Sequence, residues 1–139
     1  PPLIYEDGNQ RRDFIHVKDL VKGKLLLLNR SEADYGIFNI GTGKPTSIIE
    51  LAETLLELCG KTFNPDVIYK FRNGDIRDCY ADITKISKLG FQPLFSLKEG
   101  LKDLINWSDG QAAISKVKDA HRQLVEKGLV LETQPVSSK

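Results

Sequence analysis

Residues 4–20 read IYEDGNQRRDFIHVKDL, and this stretch has the clearest structural pattern in the 139-residue chain. The β-prone run Leu3–Tyr5 predicts a short strand that closes in the turn residues Glu6–Asn9. Asp13–Val17 predicts a second extended segment. Apolar residues at helical spacing then predict a helix over Asp19–Asn29, with one side formed by Leu20, Val21, Lys24, Leu27 and Leu28.

Capping residues mark several of the elements that follow. Ser47, with Glu50 three residues later, predicts the start of a helix that Gly60 ends. Ser96 and Glu99 predict a second start of this kind, for a helix reaching Trp107. The other predicted elements are strands at Gly36–Gly41, Val67–Tyr69 and Cys79–Ala81, a short helix at Ile83–Leu89 capped by Asp82, and a last helix at Ala112–Lys127 with Ile114, Val117, Leu124 and Val125 inward. The fold class predicted is a mixed α/β (α+β) arrangement of short strands with four to five helices.

Composition excludes several classes of protein. Lys and Arg number 20 and Asp and Glu number 19, a balance that argues against a nucleic-acid partner. No apolar run approaches the roughly 18 residues that span a membrane, so a cytoplasmic protein is expected. Cys59 and Cys79 are interpreted as buried free thiols in a reducing compartment. Because His16 and His121 lie far apart in sequence, no metal site is predicted.

Two arginine-bearing loops are candidates for binding a phosphorylated ligand. They are Arg11-Arg12-Asp13-Phe14 and Arg72-Asn73-Gly74-Asp75. Guanidinium groups suit bidentate contacts with phosphate oxygens. Gly74 would let the chain bend so that Asp75 points at a hydroxyl pair such as a ribose diol. The alternative is ordinary surface arginines that are solvated or paired with nearby carboxylates. His16 and Asp19 are interpreted as a strand-end histidine and a first-turn helix carboxylate, not as an acid–base pair.

The order of the motifs resembles a known family. Residues 4–20, then Phe38-Asn39-Ile40-Gly41-Thr42-Gly43, Ser47–Ala52, Arg72–Asp75, Tyr80–Asp82 and the helix ending at Trp107 follow each other as in the C-terminal part of extended short-chain dehydrogenases. The resemblance is to the NAD-dependent nucleotide-sugar epimerases and dehydratases, and it covers residues 3 to about 107. It implies the C-terminal, substrate-binding part of an extended Rossmann-type fold over residues 1–108, an additional helix at 109–132 and a disordered tail at 133–139.

The resemblance also implies roles for individual residues. Arg12 and Arg72 match the two contacts to the substrate's pyrophosphate, and Asp75 matches the acceptor for the ribose hydroxyls. Leu3 and Tyr5 match the strand that lies against the base of a UDP- or dTDP-sugar. The family usually has Gly after this Tyr, whereas this chain has Glu6.

Two features of the family's chemistry are missing from this sequence. The family binds NAD at a glycine-rich turn after its first strand, but Gly41-Thr42-Gly43 has no third glycine and is interpreted as a plain turn. The family's catalytic Tyr has a Lys four residues later, and no Tyr of this chain does. No catalytic or cofactor-binding residue is therefore predicted, and NAD is expected only in the parent enzyme.

The first functional hypothesis is a substrate-binding fragment, inactive alone, whose missing N-terminal Rossmann half would complete a homodimeric parent. The helix near Leu20–Leu28 and the segment Ile37–Ile40 are apolar enough to pack against such a half. A second hypothesis is a stand-alone nucleotide-binding or regulatory module. A third is a structural domain without a ligand.

Overall fold

The computed structural model describes residues 1–112 and 115–132, and within them the fold is mixed α/β, as predicted. No helix in these two ranges has the length and apolar character needed to cross a bilayer. The α-helices are α1 (Val17–Leu28), α2 (Ile48–Leu58), α3 (Thr84–Ser87), α4 (Leu97–Ser108) and α5 (Val117–Glu126), with a 3-10 turn at Ser31–Ala33. The strands are β1 (Leu3–Ile4), β2 (Arg11–Arg12), β3 (Thr46–Ser47), β4 (Asp66–Val67), β5 (Lys70–Arg72), β6 (Asp78–Cys79) and β7 (Val130–Glu132).

The chain divides into two compact units, of which the first comprises Pro1–Gln10, Ser47–Arg77 and the described part of Ser108–Lys139. In this first unit β1 pairs in parallel with β4, and β5 pairs antiparallel with β7. Ile4 and Ala52 are its most deeply buried apolar residues. Strands of two or three residues contribute little stability by themselves. The packing of α2, which carries the buried Ala52, must therefore supply much of the stability of this unit.

The second unit comprises Arg11–Thr46 and Asp78–Trp107. Its strands β2 and β6 pair in parallel, and its core contains Ile86, Phe91 and Leu101. Asp19, in the first turn of α1, is also buried, and its Oδ2 accepts hydrogen bonds from the backbone N–H groups of Leu94 and Phe95 at 2.9 and 3.0 Å. The carboxylate therefore ties α1 to the loop before α4.

Local capping chemistry sets the helix starts much as predicted. Ser47 Oγ accepts the N–H of Glu50 at 3.1 Å at the start of α2. Before α4, Ser96 N–H donates to Glu99 Oε2 at 2.8 Å and Glu99 N–H donates to Ser96 Oγ at 3.3 Å, which completes a reciprocal capping box. Asp82 Oδ1 accepts the N–H of Thr84 at 2.9 Å beside α3. Gly60 follows α2 in the left-handed conformation at φ 62°.

The strand predicted at Gly36–Gly41 is wrong for the described residues, which form no strand there. Ile37 is 86% exposed, and of the six residues only Gly41 is buried. The β-prone composition was identified correctly, but a strand also requires a neighbour that accepts and donates its backbone hydrogen bonds. The described chain provides none along this segment.

Burial was also mispredicted at the two cysteines. Cys59 and Cys79 are free thiols, but both are exposed, because Cys59 is the residue that ends α2 and Cys79 sits on a two-residue strand. On α1 the buried positions are Asp19 and Gly23, whereas Val21 and Leu28 are 49% and 81% exposed. The helix turns its smallest residue, not its largest, towards the core.

The C-terminal region differs from the single helix predicted at Ala112–Lys127. Helix α5 begins at Val117, and the unpredicted strand β7 follows it. The predicted inward position of Ile114 and the predicted disorder of 133–139 lie outside the described residues.

Candidate functional site

Three of the predicted binding residues lie together in the first unit. Arg72 Nε donates to Asp75 Oδ2 at 2.8 Å, and the Arg72 guanidinium carbon stands 5.1 Å from the centre of the Tyr5 ring. The side chains of Arg72 and Asp75 are 46% and 31% exposed, so both remain accessible from solvent. A cation, a carboxylate and an aromatic ring therefore share one surface.

Backbone geometry explains why these residues meet. Arg72 ends β5, and the chain reverses through Gly74, whose φ of 87° is readily adopted only by glycine. Asp75 N–H then donates to the carbonyl of Arg72 at 3.1 Å, which returns the carboxylate to the guanidinium. Leu3, the remaining predicted binding residue of the first unit, lies on β1, in register with Asp66 of β4. The sequence analysis predicted this bend at Gly74.

Glu6, the departure from the family pattern, keeps a backbone shape typical of glycine. Its φ is 54°, and its N–H donates to the carbonyl of Lys70 at 2.8 Å. Arg77 Nη1 donates to Glu6 Oε2 at 2.7 Å and to Asp7 Oδ1 at 2.6 Å, while its Nη2 donates to Asp7 Oδ2 at 2.8 Å. These hydrogen bonds hold the pKa of Asp7 well below its usual range and the pKa of Arg77 above its own. The turn therefore retains its shape without glycine.

Arg12 belongs to the second unit. It lies on β2 opposite Cys79 of β6, and its Nη1 donates to the carbonyl of Arg11 at 2.8 Å. It lines a cavity of about 530 Å³ together with Asp13, Phe38, Asn39, Ile40, Cys79, Tyr80 and Ala81. The neighbouring Arg11 forms a bidentate pair with Asp78 at 2.8 Å, so the two consecutive arginines have different surroundings.

The turn at Gly41–Gly43 is organised around Asp13. Its carboxylate accepts the N–H and hydroxyl of Thr42 at 2.8 and 2.6 Å, the N–H of Gly43 at 3.0 Å and the N–H of Ala81 at 3.2 Å. Burial raises the pKa of Asp13, but the hydrogen bonds from Thr42, Ala81 and Gly43 outweigh it and lower the pKa. Because a carboxylate already occupies the amides that a phosphate would need, this turn does not fit a dinucleotide pyrophosphate.

His16 caps α1 instead of ending a strand, because residues 13–16 form no strand and the helix begins at Val17. Its Nδ1 accepts the N–H of Lys18 at 3.1 Å and caps α1, while its ring stacks on Phe95 at 4.2 Å between centroids. Its Nε2 lies 3.4 Å from Asp103. Asp19 is buried, and its Oδ2 accepts the backbone N–H groups of Leu94 and Phe95.

Sequence reasoning missed three residues around Tyr5. Gln10 Nε2 donates to the Tyr5 carbonyl at 2.9 Å, Arg77 fixes the turn after it, and His121 Nδ1 lies 2.6 Å from the Tyr5 hydroxyl. Gln10 is adjacent to the quoted arginine motif and Arg77 lies two residues after the predicted loop Arg72–Asp75, so both had a local signal. His121 had none, since 116 positions separate it from Tyr5.

Comparisons with known proteins show which family this chain resembles. Residues 1–41 match the NAD dependent epimerase/dehydratase family. A putative UDP-glucose 4-epimerase of Methanocaldococcus jannaschii is 44% identical over 107 residues, which cover 76% of this chain and 33% of that protein. The UDP-glucose 4-epimerase of Thermotoga maritima, solved with UDP-glucose, is 36% identical with a TM-score of 0.71 and covers 78% of this chain and 34% of its own.

A third relative has been solved with NAD in addition to a UDP-sugar. The UDP-glucuronic acid 4-epimerase of Bacillus cereus, solved with UDP-glucuronic acid and NAD, is 30% identical with a TM-score of 0.67. The match covers 76% of this chain and 35% of that one. The chain therefore belongs to the NAD dependent epimerase/dehydratase family, as the C-terminal part of an extended short-chain dehydrogenase fold. It spans about a third of the length of the relatives it matches.

Proposed function

We propose that this chain is the nucleotide-sugar-binding portion of an NAD-dependent epimerase or dehydratase. The observation that carries the proposal is the cluster of Arg72, Asp75 and Tyr5 on one surface. A guanidinium suits a phosphate oxygen, a carboxylate suits a pair of ribose hydroxyls, and an aromatic ring, with Leu3 two residues before it, suits a base. These are the chemical parts of a nucleoside diphosphate.

Arg72 and Asp75 are paired with each other, and that pair must open for the ligand to bind as proposed. An exposed pair of this kind is worth only about 0.2–1 kcal/mol, so exchange for a phosphate and a diol is energetically accessible. Arg12 is proposed as a further phosphate contact on the basis of the family resemblance. Its substitution is therefore tested separately.

UDP-sugars are the favoured substrates, with dTDP-sugars as the alternative. The support is that the solved Thermotoga and Bacillus relatives hold UDP-glucose and UDP-glucuronic acid. We further propose that NAD and the catalytic groups of the parent lie in residues that this chain does not contain. Its sequence has no Tyr followed by Lys four residues later, and its one candidate glycine turn is filled by Asp13.

Titration calorimetry with UDP, UDP-glucose and dTDP-glucose tests the binding proposal. Saturable binding is expected, weakened by about tenfold or more in Arg72→Ala and in Asp75→Asn, because each loses a charge-assisted hydrogen bond. Arg12→Ala is expected to weaken binding as well. Arg30→Ala is the charge-matched control, since Arg30 is exposed beyond the end of α1 and is not in the proposed site. Absence of binding by the unaltered chain, or equal affinities in all four variants, would contradict the proposal.

A turnover assay tests the proposed inactivity. With NAD and UDP-glucose, no epimerised product is expected by chromatography, and product formation would contradict this part of the proposal.

The stand-alone binding module remains the rival hypothesis, and a monodisperse monomer in size-exclusion chromatography would favour it. The parent is proposed to be a homodimer, by family resemblance, and cytoplasmic, a location with which two exposed free thiols are compatible.

A further inference from the structure

The segment from α5 to β7, residues 117–132, lies beyond the family resemblance, which ends near Trp107, yet it touches two of the proposed binding residues. His121 projects from α5, and its Nδ1 lies 2.6 Å from the Tyr5 hydroxyl. The two rings stand 5.9 Å apart between centroids and are tilted by 49°. Tyr5 thus has its phenol held by this C-terminal segment and its backbone carbonyl held by Gln10.

The same segment also holds the strand that carries Arg72. Within the described residues β7 is the only sheet partner of β5, with Arg72 opposite Val130 and Phe71 opposite Leu131. Asn73 N–H donates to the carbonyl of Leu129 at 2.9 Å, which anchors the turn leading to Asp75. A three-residue strand keeps a fixed conformation only when its neighbour supplies the backbone hydrogen bonds.

These two attachments converge on one surface. The Arg72 guanidinium lies over the ring of Tyr5, so the side chain fixed by His121 is in contact with the side chain fixed through β7. A ligand that binds both residues would find them already oriented. Orientation before binding lowers the entropy that the complex must lose.

We propose that the C-terminal segment is a positioning element of the nucleotide site, in which His121 orients Tyr5 and β7 orients Arg72. This inference rests on the proposed nucleotide function. His121 is a positioning residue here, since it acts through Tyr5 and not on the ligand. The segment would then set affinity for the nucleoside diphosphate while adding no contact to it.

The first experiment measures the affinity of the full chain for UDP by calorimetry. His121→Ala is expected to weaken binding by about threefold to tenfold, the range given by loss of one neutral hydrogen bond. His121→Asn should restore most of the affinity, because its amide can occupy the position of Nδ1. Arg122→Ala is the matched control: it changes the next residue of α5, whose side chain is 66% exposed and pairs with Asp119, and it should bind like the unaltered chain. If the unaltered chain binds UDP and His121→Ala binds equally well, the inference is wrong while the proposed function stands.

A second measurement does not depend on nucleotide. Leu131→Pro removes a backbone donor from β7, and amide hydrogen exchange is followed at Asn73 and at β5. Exchange there should accelerate at least about tenfold, while the Thr42 amide, bonded to Asp13 in the second unit, stays protected and reports that this unit is folded. Unchanged exchange at Asn73 and β5 would overturn the positioning role of β7. If the unaltered chain fails to bind UDP, the proposed function fails, and this exchange result alone decides whether the segment holds β5.

Discussion

Asp13 illustrates how much one carboxylate can organise, since it accepts four hydrogen bonds from Thr42, Gly43 and Ala81. Asp13→Asn replaces a charged acceptor with an amide whose NH₂ faces backbone donors. We expect a loss of about 1.5–3 kcal/mol in the free energy of unfolding at pH 7. Urea denaturation measures it, with the exposed Asp34→Asn as a control that should change little.

The pH dependence of the same variant gives a second check. The pKa of Asp13 is lowered in the folded chain, so its stabilisation is fully present above its unfolded pKa of about 3.9. That stabilisation is lost as the pH falls through the folded pKa. The difference in stability between the unaltered chain and Asp13→Asn should therefore shrink below about pH 4. A difference that is constant from pH 7 to pH 3 would contradict the assigned role.

Glu6 and Arg77 are expected to be energetically coupled. A left-handed conformation disfavours a side chain by about 1–2 kcal/mol, and Glu6, at φ 54°, adopts it while paired with Arg77. In an Arg77→Ala background, Glu6→Gly should stabilise the chain by about 1 kcal/mol, because only the backbone strain remains to be relieved. In the unaltered background the gain should be smaller, since an ion pair is lost as well. Thermal unfolding of the unaltered chain, the two single variants and the double variant measures the coupling, and equal effects of Glu6→Gly in both backgrounds would rule it out.

At the scale of an element, α1 shows why a glycine can be required inside a helix. A Cβ on Gly23 would lie 2.8 Å from Ile40 Cγ2 and 3.1 Å from Phe91 Cε2. Helix propensity alone favours Ala over Gly by about 1 kcal/mol, whereas overpacking costs about 1–3 kcal/mol. We therefore expect Gly23→Ala to destabilise the chain by about 1 kcal/mol in chemical denaturation. Lys22→Ala, on the exposed side of the helix, should leave the stability nearly unchanged. An increase in stability for Gly23→Ala would contradict this expectation, because it would mean that Ile40 and Phe91 shift to accommodate the added methyl group.

Features that depend on neighbouring residues could be predicted from the sequence, whereas features that depend on distant residues could not. The starts of α2 and α4 follow from residues three positions apart, so Ser47, Ser96 and Glu99 were sufficient. The bend at Gly74 was equally local. Strand formation at Gly36–Gly41 depended on a partner elsewhere in the chain, which composition does not encode. The contact between Tyr5 and His121 joins opposite ends of the chain, and β7 is recognisable only once β5 is known.

At the scale of the whole molecule, the exposed apolar surface of α1 has a consequence for the behaviour of the chain in solution. Val21, Leu25 and Leu28 follow one another at helical spacing on α1 and are 49%, 53% and 81% exposed. A continuous apolar stripe of this kind favours association, so we expect the purified chain to self-associate at micromolar concentration. Leu25→Lys should lower its mean sedimentation coefficient without lowering its thermal stability. Val125→Lys, at a similarly exposed position of the first unit, is the control. Identical sedimentation of Leu25→Lys and the unaltered chain would contradict this expectation.

The two exposed thiols have a practical consequence. Cys59 lies in the first unit and Cys79 in the second, and the sequence contains no other cysteine. Maleimide dyes could therefore label one position in each unit with no engineered substitution. Because Cys79 also lines the cavity beside Arg12, a fluorophore there would sense occupancy directly, while a dye at Cys59 would report changes within the first unit during a titration.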